Sequence, residues 1–251
     1  MRHPLGIVIF AAVLAGCQSN PVAEAPEHTP DRLAEINTQL CVEYMKEGQF
    51  ETALKKLKKA IDIDPNYADA YSVLGLLYSR LGENDKAEST FKKAIALTPR
   101  ESAILNNYGQ FLCRQGRSDE AQDLFARALA NPLYATPEVV HVNAAICALE
   151  QQKDPAAAEK FLRQALELNP QMSAALLQMA RLSYQQERFL PARGYLQRFA
   201  EVSPHTAQSL WLGVQIEKRL GNRDGEASYA MTLKGKYPDS DEARQLLETA
   251  P

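Results

Sequence analysis

Nucleophilic or metal-binding chemistry in this chain of 251 residues would have to come from four cysteines, Cys17, Cys41, Cys113 and Cys147, and four histidines, His3, His28, His141 and His205. The histidines are scattered, and no HExxH, CxxC, GxSxG or phosphate-loop spacing sets a ligand or a base beside any of them. His141 and Cys147 stand six positions apart, but two ligands without a third make no metal site. The sequence points to no catalytic residue, no metal and no cofactor, and so to a protein that is not an enzyme.

Cys17 has a chemistry of its own. It follows the apolar run "GIVIFAAVLAG" of residues 6–16, before which Arg2 is the only charged residue, and it opens the polar "CQSNPVAEAPEHTPD". The run is too short to span a bilayer, which takes ~20 apolar residues. A basic start, a short hydrophobic middle and small residues before the cut are the parts of a secretory signal. Leu14-Ala15-Gly16-Cys17 has the pattern of a bacterial lipobox, in which cleavage before the cysteine leaves its thiol to carry a diacylglycerol. An ordinary signal peptide with an incidental Cys17 is the competing reading. The first predicts a signal over residues 1–16, a lipidated Cys17 and a flexible tether over 17–33. Several acyl chains hold a protein to a membrane where one alone binds marginally. Resemblance to diderm lipoproteins implies the periplasmic face of the outer membrane, because Gln18 stands where an aspartate would favour inner-membrane retention.

The whole chain has 28 basic and 31 acidic residues; losing Arg2 with the signal leaves 27 against 31, a balance of −4. That gives no polybasic face for nucleic acid and no second electrostatic membrane anchor. The expected partners are proteins, met by a monomer.

Beyond the tether a period appears. In residues 68–101, Tyr71, Leu74, Gly75, Tyr78, Ala87, Phe91, Ala94 and Pro99 occupy in order the signature positions of a 34-residue tetratricopeptide repeat (TPR). One period back, Leu40, Cys41, Tyr44, Ala53, Leu57, Ala60 and Pro65 do so; one forward, Leu105, Tyr108, Gly109, Leu112, Ala121, Phe125 and Ala128. Small residues fit where two antiparallel helices cross closely, and Tyr, Leu and Phe fill the space between. "NPLYATPE" at residues 131–138 then breaks the register by three. The predicted fold is all-α: a TPR superhelix of six helix-turn-helix repeats (34–67, 68–101, 102–135, 139–172, 173–206, 207–240) with a capping helix over 241–251.

Cys113 and Cys147 are 34 apart, one full repeat. Equivalent positions on neighbouring helices lie about 8–10 Å apart, beyond the ~7 Å that a disulfide tolerates between Cα atoms. A bend at "NPLYATP" would bring them closer, so a disulfide between repeats three and four and two separate buried thiols both remain open. Cys41 takes the close-packing place of Gly75 and reads as a small core residue.

In TPR domains the first helices of the repeats line the concave face. Here they would present apolar Val42, Met45 and Leu76 beside Ser72, Asn106 and Gln110, a strip suited to a peptide. Coverage of this strip by the tether or by repeat packing is the alternative.

The chain closely resembles the PilF/PilW type IV pilus biogenesis lipoproteins, through Cys17, "NNYGQFLCRQGRSDEAQDLFARAL" (106–129), "NPLYATPE" and "NAAICAL". The resemblance implies a pilotin: a non-enzymatic factor that binds the secretin PilQ, brings it to the outer membrane and promotes its multimerisation, in support of twitching motility. The alternative is an outer-membrane TPR scaffold that docks peptidoglycan-modifying enzymes or a periplasmic protease.

Overall fold

The computed structural model describes residues 30–248. The expected signal, Cys17 and residues 18–29 of the tether lie outside the described residues. Within them the chain is all-α, a TPR superhelix with thirteen α-helices and no strand. Six antiparallel pairs follow one another: α1 (Pro30–Lys46) with α2 (Phe50–Ile63), α3 (Ala68–Arg80) with α4 (Asn84–Leu97), α5 (Ser102–Arg114) with α6 (Ser118–Leu129). Then come α7 (Pro137–Cys147) with α8 (Pro155–Leu168), α9 (Ser173–Gln185) with α10 (Phe189–Val202), and α11 (Ala207–Arg219) with α12 (Arg223–Lys236). Helix α13 (Asp241–Glu248) closes the array, burying Ala243 and Leu246 against the last pair. Helix α1 begins at Pro30, so residues 30–33, expected in the tether, are helical. A first turn tolerates proline because its missing N–H has no intrahelical partner there to lose.

The repeat signature is a packing rule. Phe91 of α4 lies against Gly75 of α3, where an added Cβ would stand 2.9 Å from the ring; Phe125 of α6 lies against Gly109, where it would stand 2.7 Å away. Both rings are fully buried, and Phe91 joins Tyr108 and Phe111 of the next repeat at centroid distances of 5.4 and 5.5 Å. Each such ring withdraws a large apolar surface from water, worth ~1.5–3 kcal/mol. Because every repeat shares its core with its neighbour, none can bury its apolar face alone.

The register break at "NPLYATPE" is resolved in two steps. Buried positions of α5 recur in α7 after 36 residues: Ile104 with Val140, Tyr108 with Ala144, Phe111 with Cys147. From α7 to α9 the spacing is 35, as Val140 to Ala175 and Ala144 to Met179. Two extra residues thus sit in the loop before α7. The third is taken up by a single turn of π-helix, Ala148–Gln152, which ends on Lys153 at φ 55° and hands over to the Asp154 cap of α8. A π-turn is how a helix absorbs one inserted residue without breaking.

That offset answers the question of the cysteines. Cys147 is the packing equivalent of Phe111, two residues earlier than Cys113, so the two cysteines are not at matched heights on parallel neighbours. They are joined as a disulfide, with Cα atoms 5.7 Å apart. Cys41 is a free, fully buried thiol, pushed up to about 12 by burial. Ion pairs fasten other repeat boundaries: Arg117 to Glu88 at 2.8 Å, Arg188 to Glu159 at 2.7 Å, and Arg193 to Glu217.

Candidate functional site: a two-signed groove on the first helices

Helices α1, α3 and α5 run side by side and present their exposed faces to one surface, where two open hollows adjoin. The first, of about 340 Å³, is lined by Glu35, Thr38, Val42, Asp69, Val73 and Asn107 among others. The second, of about 410 Å³, is lined by Val42, Met45, Lys46, Val73, Leu76, Arg80, Gln110 and Arg114. Val42 and Val73 belong to both, so the hollows form one groove with an apolar floor. Val42, Val73 and Leu76 are half-buried, whereas Met45 is 8% exposed and reaches the groove only with its edge.

The two ends of the groove differ in charge. Helices that run parallel put all their first turns at one rim and all their last turns at the other. At the first rim, burial and then the charge of Glu101 raise the Asp69 carboxyl above its ordinary value. The Tyr67 hydroxyl beside it is pushed up to about 12 by burial and then by Asp69 and Glu35. At the other rim, partial burial and then the charge of Arg80 push the Arg114 guanidinium below its ordinary value. One rim is crowded with negative charge and the other with positive.

Val42, Met45, Leu76 and Gln110, expected in the groove, line it. Ser72 lines it too but is only 2% exposed, with its hydroxyl accepting from Asn107 Nδ2 at 3.1 Å. Asn106 does not: it is 5% exposed, and its carbonyl accepts from Asn143 Nδ2 at 2.9 Å. Gln110 donates to the Asn143 carbonyl at 3.2 Å. These bonds repeat a pattern. An Asn of one first helix donates to the residue at the Ser72 position of the preceding one, so the amides expected to meet a peptide instead tie helix to helix. A buried amide would otherwise be left unpaired at a cost of ~1–3 kcal/mol. Asn107, Asn143 and Val73 were missed because the sequence names the helix face but not the neighbour each side chain meets. Lys46, Arg80 and Arg114 are legible in the sequence as concave-facing positions of the first helices, since they recur every 34 residues.

Other hollows lie away from the groove. One, of about 310 Å³, sits between α9 and α11 with Tyr184 and Trp211. Another, of about 680 Å³, opens among Pro99, Arg127 and Pro132 at the loops of the third repeat, away from the row of first helices. No group of three or more His, Cys, Asp or Glu side chains able to hold a metal ion occurs among the described residues. None of the described helices is long and apolar enough to cross a membrane.

Family patterns described as TPR repeat and tetratricopeptide repeat match residues 43–82, 73–137, 112–173 and 149–210. The fold and its paired helices are thus those of a tetratricopeptide-repeat protein. Over 244 residues the sequence is 34% identical to the type IV pilus assembly protein PilF of Pseudomonas aeruginosa, covering 96% of each chain. Among solved structures, that of PilW, a widely conserved type IV pilus biogenesis factor, matches with a TM-score of 0.74 and 33% identity over 86% of this chain and 99% of the other. That of P. aeruginosa PilF matches with a TM-score of 0.73 and 34% identity over 88% and 99%. The chain belongs to the PilF/PilW family of type IV pilus assembly factors.

Proposed function

We propose that this chain is a pilotin: a monomeric lipoprotein, anchored through an acylated Cys17 to the periplasmic face of the outer membrane, that binds the secretin PilQ and promotes its localisation and multimerisation. The lipid supplies the address, the residues after Cys17 the reach, and the groove of α1, α3 and α5 the grip. No catalytic step and no cofactor beyond the lipid enter this reading. The observation that carries it is the open apolar floor of Val42, Val73 and Leu76 on a chain that shares 34% identity over 96% of its length with a pilus assembly protein.

The test is the amount and membrane fraction of heat-resistant PilQ multimers in cells carrying the wild type, Cys17→Ala, or Val42→Glu with Leu76→Glu. Both groove residues are partly exposed, so a glutamate there keeps access to water and the helix pairs stay folded. Multimers should leave the outer membrane in Cys17→Ala and fall sharply in the groove variant. Unchanged multimers in every strain would refute the pilotin reading and leave a scaffold for wall enzymes or a periplasmic protease.

A further inference from the structure

The arginines of the groove's positive rim differ from those held in ion pairs elsewhere: like Arg127, Arg181 and Arg198, they meet neutral acceptors. Arg117, Arg163, Arg188 and Arg193 each meet a carboxylate within 2.8 Å. Arg80 and Arg114 do not: Arg80 Nη1 donates to the Met45 carbonyl at 3.2 Å, and Arg114 Nη2 to the Gln110 amide oxygen at 3.5 Å. Neither forms an ion pair among the described residues. Lys46, the third cation of the rim, pairs only with Glu43 of its own helix, and both side chains are more than 60% exposed. Such a pair exchanges readily with a ligand because it contributes little.

Helix dipoles alone would favour a cation at each last turn. They do not favour two guanidiniums crowded together with neutral acceptors, beside an apolar floor and without a counter-charge. The opposite rim is the mirror case, with Glu35 and Asp69 lining the other hollow and Glu101 close enough to disfavour the charge on Asp69. From Asp69 to Arg80 the helix rises about 16 Å at ~1.5 Å per residue. That span is the width over which a ligand must change sign.

Resting on the reading of this groove as the partner-binding face, we infer that it selects its partner by charge polarity. The occupant is a segment of the partner protein with an apolar stretch on Val42, Val73 and Leu76, acidic side chains at Arg80 and Arg114, and a basic side chain toward Asp69. Bidentate guanidinium–carboxylate bonds then replace the long bonds to neutral acceptors. The two arginines supply both attraction and rejection, since a segment of reversed polarity would meet like charge at each rim.

The experiment measures binding of purified PilQ to the mature, lipidated chain held in phosphatidylcholine vesicles, at low and high salt. Arg80→Glu with Arg114→Glu should weaken binding by about tenfold or more at low salt and by less at high salt, where the new repulsion is screened, while the double Arg→Lys variant should stay within about threefold of wild type. Both arginines reach solvent, and a melting curve of each variant checks that losing the Arg80 bond to the Met45 carbonyl leaves the helix pairs folded. Val42→Glu with Leu76→Glu is the control for the underlying reading. If that variant binds as the wild type does, the groove is not the binding face at all. If it fails to bind while the arginine reversal binds within about twofold of wild type and salt has no effect, the face stands and the polarity is overturned. Deleting residues 18–29, which carry Glu24 and Glu27, should leave affinity unchanged; a large gain would assign the rim to the chain's own acidic segment. Self-association by sedimentation that disappears in the arginine reversal would assign it to a second copy. Either result would overturn the proposed occupant.

Discussion

Reducing the Cys113–Cys147 disulfide tests the offset junction directly. The bond closes a loop with a sequence separation of 34. Loop-closure entropy of the unfolded chain falls by about 2.1 + 1.5R ln 34, or about 12.6 cal/mol/K, which at 298 K is ~3.8 kcal/mol of stabilisation. Reduction leaves both sulfurs in place, so the change reports the bond and not a lost volume. Cys113 is 5% exposed and Cys147 fully buried, so a Cys113→Ala, Cys147→Ala variant should lose roughly 1 kcal/mol more through underpacking. For a chain of this size, ~3.8 kcal/mol corresponds to a fall in melting temperature of roughly 8–15 °C. The assay is thermal and urea unfolding of oxidised and reduced protein, followed by helical circular dichroism. Cys41 contributes to neither form, being free and buried in both. A difference below about 1 kcal/mol between the oxidised and reduced forms would refute the reasoning. It would mean that the core of repeats three and four already restrains the unfolded chain or holds the junction unaided.

The packing rule predicts opposite signs for two glycine substitutions. Gly109→Ala gains ~1 kcal/mol of helix propensity but drives a Cβ to 2.7 Å from the buried Phe125 ring, for a net loss of about 1 kcal/mol; Gly194→Ala in α10 meets nothing within 4 Å and should gain roughly 0.5–1 kcal/mol. Chemical denaturation of both variants checks the pair, and equal signs would contradict the close approach. Hydrogen bonds from Arg117 and then Lys92 hold the Glu88 carboxyl at about 2, against an ordinary 4.5. Because its folded value is depressed, its contribution is present above pH 4.5 and is lost as pH falls toward 2. With the Glu88 side chain 27% exposed and screened by solvent, that contribution is about 1 kcal/mol. Glu88→Gln should flatten the stability profile across that window and leave its shape near neutrality unchanged, as urea midpoints at a series of pH values would show.

How much of this was legible in the sequence follows from what each feature depends on. Gly75 and Phe91, or Gly109 and Phe125, belong to one helix pair, so a fixed spacing encodes their contact. Where three inserted residues go depends on which helix faces remain buried. Composition at "NPLYATPE" marks the break, but only packing divides it into two residues before α7 and one in the π-turn. Asn106 shows the same limit: its place on the groove-facing helix follows from the repeat, whereas its burial follows from Asn143 on the next helix. Arg80 and Arg114 were legible as positions but not as an unpaired couple, because pairing is a property of neighbours. Cys17 and the residues that follow it were legible as a motif and lie outside the described range.

The split insertion also has a consequence for what the surface can read. A solenoid presents its ligand with a periodic template, and a ligand in step with one repeat stays in step with the next only while the period holds. Spacings of 36 and then 35 residues put the extra residues in the loop before α7 and in the π-turn, so the packing positions of α5, α7 and α9 still correspond. The irregularity is thus confined to the connections at one junction of the array, and a covalent bond across that same junction holds the repeats on either side of it together.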